Sequence, residues 1–82
     1  MIQMNNNYSY FYDQKFDDLL IKSNSDEPVY SDEVFNNIYI IRSELDDSVV
    51  GIQILYYKKR SNKILKQYVP NPFYEIAKKI GI

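Results

Sequence analysis

Short apolar and aromatic runs separated by polar turn segments fill Tyr8 to Tyr57, the last of them with a period of two, and the spacing then changes to a helical one. "YSYFY" (Tyr8 to Tyr12) is aromatic and β-favouring, and "DLLIKS" (Asp18 to Ser23) is a short apolar run. The polar "DQKFD" between them has the length of a hairpin connection, so two antiparallel strands are expected. "SNSDEPVYSDEVFNN" is mostly turn chemistry, and Pro28 has no N–H to give a ladder. A long acidic loop is expected there, with room for an edge bridge at Val29 and Tyr30. "IYIIRS" (Ile38 to Ser43) predicts a third strand, "ELDDS" a turn in which Asp46 and Asp47 suit positive φ or backbone caps, and "VVGIQILYY" (Val49 to Tyr57) a fourth strand. On that strand Val50, Ile52, Ile54 and Tyr56 share the face expected to be core. Gly51, on the other face, marks a bulge, a bend or the close approach of another backbone.

After Arg60 the period lengthens. "SNKILKQYV" spaces Ile64, Leu65, Tyr68 and Val69 as a short helix capped by Ser61 or Asn62. In "PNPFYEIAKKIG", Asn71 suits an N-cap and Pro72 a first helical position. Phe73, Ile76, Ala77 and Ile80 follow at i, i+3, i+4 and i+7, and Gly81 can close the helix. The pattern therefore predicts an α+β protein: an antiparallel meander sheet of about four strands with C-terminal helical segments packed on one face. Residues 1–7 are expected to form a flexible N-terminus and residues 8–82 a single domain.

At 82 residues the chain has room for one small core, which a partner or a dimer would help to complete. Its composition, 45% hydrophobic and 26% charged, is that of a globular protein. The absence of cysteine removes disulfides and thiolate chemistry, and the absence of histidine removes the usual general base and nearly all zinc or iron sites. Two glycines cannot build a phosphate-cradling loop. The carboxylate pairs Asp17–Asp18, Asp26–Glu27, Asp32–Glu33 and Asp46–Asp47 lie in expected turns without calcium-loop spacing. No catalytic residue, cofactor or metal is expected, so the chain reads as a non-enzyme. The start "MIQMNNNYSYFY" lacks a basic and an apolar leader region, and no apolar run is long enough for a bilayer, so a cytoplasmic protein without a membrane partner is expected. Ile, Asn, Lys and Tyr supply 11, 8, 8 and 9 residues, a bias of AT-rich codons that suggests a low-GC bacterium or a virus or mobile element living in one.

Charge changes the picture most. Residues 1–55 carry three basic and ten acidic side chains, and residues 56–82 seven basic and one acidic, a net −7 against +6. Segregation of this kind is either internal, the basic tail folding back on an acidic sheet, or addressed to a partner. Tyr57, Lys58, Lys59, Arg60 and Lys63 combine cations with an aromatic ring as the exposed exit from the last strand, and Asp26, Glu27, Asp32 and Glu33 line the acidic loop. These nine residues are the candidate partner-binding set. Tyr8, Tyr10, Tyr12 and Tyr39 read as half-buried strand residues in preference to a stacking platform, because their surroundings are acidic.

The aromatic strand ending in Tyr12-Asp13, the "DDLLIKS" strand, the acidic loop, the next apolar strand, the acidic turn and "VVGIQIL" together resemble the small prokaryotic family called domain of unknown function 2283. The likeness covers Tyr8 to Tyr57, with Gln53 where the family usually has glutamate. It implies an antiparallel sheet with a C-terminal helical segment and brings no activity with it. Function is therefore expected from the absences and the charge: a non-catalytic protein-binding module, accessory or inhibitory, with a sheet edge as a route to a homodimer. The alternatives are a nucleic-acid binder using the Tyr56–Lys66 segment and a small-nucleotide sponge. Nucleic acid is the weaker partner class for a chain of pI ≈ 5.2.

Overall fold

In a computed structural model of the chain, residues 2–3 and 7–80 are described. Six strands form one antiparallel sheet: β1 (Ile2–Gln3), β2 (Tyr8–Asp13), β3 (Asp18–Ser23), β4 (Val29–Phe35), β5 (Ile38–Ser43) and β6 (Val49–Leu55). A 3-10 turn at Tyr57–Lys59 leads to α1 (Asn62–Tyr68) and α2 (Phe73–Ile80). The α+β class, the antiparallel sheet and the C-terminal helices agree with the sequence pattern, and β3 and β5 begin and end where it places them. Of the N-terminal segment expected to be flexible, residues 1 and 4–6 lie outside the described residues, and Ile2 and Gln3 pair with Tyr10 and Ser9.

The sheet differs from the expected meander in number and order. Its order is β1-β2-β3-β6-β5-β4, so β6 sits between β3 and β5. The most continuously apolar strand takes this position because both of its neighbours and the helices bury it: Val50, Ile52 and Ile54 are at most 9% exposed. The β3–β4 connection, residues 24–28, passes the ends of β6 and β5. Three strand spacings are about 14 Å, within reach of five extended residues. The expected acidic loop is thus largely a seven-residue edge strand, β4. Its central residues, Tyr30 to Glu33, are exposed, so no alternation betrayed it. Pro28 is accommodated because it lies just before β4 and uses only its carbonyl, which accepts Glu44 N–H at 2.9 Å.

Gly51 is explained by an approach of backbone. A Cβ there would stand 2.6 Å from the Ile21 carbonyl oxygen and 3.1 Å from Lys22 Cα, where β6 pairs with β3. The ladder to β5 also shifts register here, between Ile41 and Arg42.

The helices cover the face formed by Leu19, Ile21, Ile38, Ile52 and Ile54, each fully buried, with Phe73 at 1% exposure and Ala77 at 3% over them. Tyr8 meets the Phe73 ring edge-on at 5.4 Å, and Phe35 stacks on Tyr68 at 4.6 Å. Ser61 caps α1 by accepting Ile64 N–H at 3.2 Å, one of the two caps expected. The second helix starts at Phe73, one residue later than the pattern suggests. The carbonyl of Pro72, which is joined to Asn71 by a cis peptide bond, accepts Ile76 N–H at 3.0 Å as the first i to i+4 bond, and the first-turn Tyr74 N–H goes to the Pro70 carbonyl at 3.1 Å in place of the expected Asn71 side-chain cap. Ile76 and Ile80 are half-buried, whereas Tyr74, which the spacing passed over, is buried.

One core assignment is overturned. β6 ends at Leu55 and Tyr56 turns into the left-handed region, φ 55°, so its side chain leaves the core face and is 49% exposed.

Candidate functional site

The turn between β2 and β3 places Asp17, φ 53°, beside the exit of β6. Its backbone carbonyl accepts Tyr57 N–H at 3.0 Å, and its two carboxylate oxygens accept Lys58 N–H, each at 3.1 Å. The Tyr12 hydroxyl donates to the same carboxylate at 2.6 Å. This charge-assisted bond pushes the Tyr12 phenol up to about 12, because deprotonation would put a second anion against Asp17. Tyr57 is raised mainly by burial and then by the nearby Asp17 charge. An aspartate in a surface turn therefore ties the last strand's exit to the opposite hairpin. The sequence marks Asp17 only as a turn former, because the Lys58 N–H that it accepts lies 41 residues away.

Arg60 is the second fixed point. Its Nε donates to the Leu55 carbonyl at 3.1 Å and its Nη2 to the Asn36 carbonyl, joining the end of β6 to the β4–β5 turn. The side chain is half-buried, so the expectation of a freely exposed cation fails for it. A guanidinium can bridge two carbonyls because its donors are fixed in a planar fork. Lys58, Lys59 and Lys63 are exposed, as expected. Lys58 Nζ lies 5.6 Å from the Tyr12 ring centre and Lys59 Nζ 6.0 Å from that of Tyr56. Between the 3-10 turn and α1 lies an open pocket of about 340 Å³ lined by Tyr57, Lys58, Arg60, Asn62 and Leu65. Tyr57 donates to the Ala77 carbonyl at 2.9 Å, and Asn62 Oδ1 accepts the Tyr74 hydroxyl at 2.8 Å.

The acidic candidates separate into two groups. Asp26 and Glu27 lie in the β3–β4 connection, at the sheet end where Glu44, Asp46 and Asp47 form the β5–β6 turn. Ser48 holds the Asp46 carboxyl below its ordinary range by hydrogen bonding to it, and Asp47 accepts the Tyr30 hydroxyl at 2.7 Å, which raises that phenol. Leu45 at the turn's tip is 72% exposed. Asp32 and Glu33 instead belong to β4. Asp32 meets Arg42 at 3.7 Å, and Glu33 accepts Asn37 N–H at 2.9 Å. Among the described residues the Arg42–Asp32 ion pair is the one salt bridge, and both partners belong to the acidic half. Among the described residues no ion pair joins the acidic and basic parts of the sequence, and Lys58, Lys59, Lys63 and Lys66 are exposed.

β4 is also an open edge. The Glu44 N–H to Pro28 carbonyl bond sets the phase of its ladder with β5. By the alternation of an antiparallel pair, the backbone groups of Tyr30 and Asp32 face β5, and those of Val29, Ser31 and Glu33 face away from the sheet. The sequence placed an edge bridge at Val29 and Tyr30 but left Asp32 and Glu33 in a loop, whereas the edge strand runs on through both.

Among the described residues no group of three or more acidic side chains could hold a metal ion, and no helix is long and apolar enough to cross a membrane. Comparison with protein-family models, curated proteins and solved structures gives no match to this chain.

Proposed function

We propose that the protein is a non-catalytic binding module, accessory or inhibitory in role, that captures an extended basic segment of a partner protein along β4. The observation that carries this reading is the seven-residue open edge with Asp32 and Glu33 on it. An added strand would satisfy the outward N–H and C=O groups of Val29, Ser31 and Glu33, which is how sheet edges gain affinity for peptides. Acidic residues on an edge repel another copy of the same edge while attracting lysine and arginine. This charge pattern favours a basic partner over a β4-to-β4 homodimer.

The test uses Ser31→Pro, which deletes one outward donor without touching the ladder to β5. A synthetic strand-forming peptide of alternating lysine and valine should shift the β4 amides of the 15N-labelled protein in a saturable way. Ser31→Pro should abolish this while leaving the melting temperature unchanged, and Asp32→Lys should weaken it. Peptide binding that survives Ser31→Pro in a folded protein, or that shifts residues other than β4 and β5, would overturn the proposal.

A further inference from the structure

The pocket at the opposite end of the sheet has a chemistry that the edge-binding reading does not use. Lys58, Arg60, Asn62, Tyr57 and Leu65 line it, and no carboxylate does. The polar groups that remain available there are donors. Asn62 Oδ1 is occupied by the Tyr74 hydroxyl, so the amide NH2 is the end left to bind, and the Tyr57 hydroxyl is committed to the Ala77 carbonyl. Arg60 gives two donors to neutral carbonyls, those of Leu55 and Asn36. Neutral carbonyls do not balance its charge, and among the described residues it has no ion-pair partner. A half-buried guanidinium, fixed in direction and lacking a counter-ion, is stabilised by any anion that reaches its remaining N–H groups. Lys58 adds an exposed point charge, its Nζ 5.6 Å from the Tyr12 ring centre, and the exposed Lys59, Lys63 and Lys66 follow on the same segment. Beside these cations stand the half-buried ring of Tyr57, held edge-on to Tyr12 at 6.4 Å, and the buried Leu65.

Donors on one side and an aromatic and an aliphatic surface on the other match a flat organic body bearing a phosphate. A volume of about 340 Å³ lies at the small end of ligand pockets, the size of a single nucleotide. We propose that this pocket binds a nucleotide-sized phosphate monoester, its phosphate held by Arg60, Lys58 and the Asn62 amide and its base set against Tyr57 and Leu65. A free mononucleotide and the 5′-phosphorylated end of an oligonucleotide present the same chemistry.

The test follows backbone amide shifts of the full 15N-labelled chain during titration with AMP, adenosine, and a trinucleotide with and without a 5′-phosphate. AMP should give saturable shifts in the Tyr57–Leu65 segment, and adenosine should give none. Arg60 also holds the fold, so the variants are Lys58→Gln and Asn62→Asp. The second keeps an acceptor for Tyr74 and puts a carboxylate into the pocket. Lys58→Gln should weaken AMP on the order of tenfold, and Asn62→Asp should abolish binding with the melting temperature unchanged. AMP alone binding would identify a free nucleotide as the ligand, and equal binding of the 5′-phosphorylated trinucleotide would identify a nucleic-acid end. The proposal is overturned by the absence of saturation up to about 10 mM AMP, by wild-type affinity in folded Asn62→Asp, or by a 5′-hydroxyl trinucleotide binding as well as its phosphorylated form.

Discussion

Asp17 accepts the backbone N–H of Lys58 with both carboxylate oxygens, each at 3.1 Å, and so fixes where the chain goes after its last strand. The chain turns there, through Tyr56 at φ 55°, because the Asp17 backbone and side chain together receive two consecutive N–H groups that a continuing strand would have paired. Truncation to Asp17→Ala should destabilise the protein by about 1–3 kcal/mol, since it leaves the Lys58 N–H and the Tyr12 hydroxyl without their acceptor. Urea unfolding measures the loss, and an unchanged midpoint would show that water replaces the carboxylate at no cost.

The same carboxylate makes a pH signature. Tyr12 binds its proton more tightly folded than unfolded, with a pKa of about 12 against 10.0. Its hydrogen bond therefore contributes fully below pH 10.0 and is lost as pH rises through about 12. Tyr30 and Tyr57 shift in the same direction, so the comparison that isolates Tyr12 is Tyr12→Phe. Spectroscopic titration should lose its most alkaline phenol in Tyr12→Phe, and the stability difference between the two proteins should shrink across that window.

Gly51→Ala should destabilise by about 1–3 kcal/mol, because the new methyl group meets the backbone of β3, at Ile21 and Lys22, and a strand backbone cannot yield as a flexible side-chain end would. Denaturant unfolding checks this. A neutral result would mean that the β5 bulge beside Gly51 absorbs the added volume.

Helix packing is tested by two truncations on α2. Phe73 is 1% exposed and should cost about 3–5 kcal/mol as Phe73→Ala, much of the stability available to a small domain. Ile76, half-buried, should cost less than the roughly 2 kcal/mol at the lower end for a fully buried isoleucine. Thermal melts of both variants should rank them in that order. The reverse order would mean that α2 turns a different stripe to the sheet.

The sequence by itself determined the strands that are buried on a face, the two helices and their order along the chain. In β3 Leu19 and Ile21 are buried in alternation, and β5 and β6 carry near-continuous apolar runs buried at successive positions, so burial shows in the residues themselves. Gly51, Asp47 at φ 62° and the Ser61 cap were legible for a similar reason, each being a backbone requirement met by a nearby residue type. Only the tertiary structure decided that β6 lies in the middle of the sheet, that Tyr30 to Glu33 form an open edge, and that Asp17 and Arg60 clamp the chain after Leu55. An exposed edge strand buries neither face well enough to impose alternation, and its pairing partner is chosen by which strand is left unpaired. The clamps of Asp17 and Arg60 join groups 41 and 24 residues apart. No local pattern encodes such contacts, because the backbone groups they satisfy come together only once the sheet has formed.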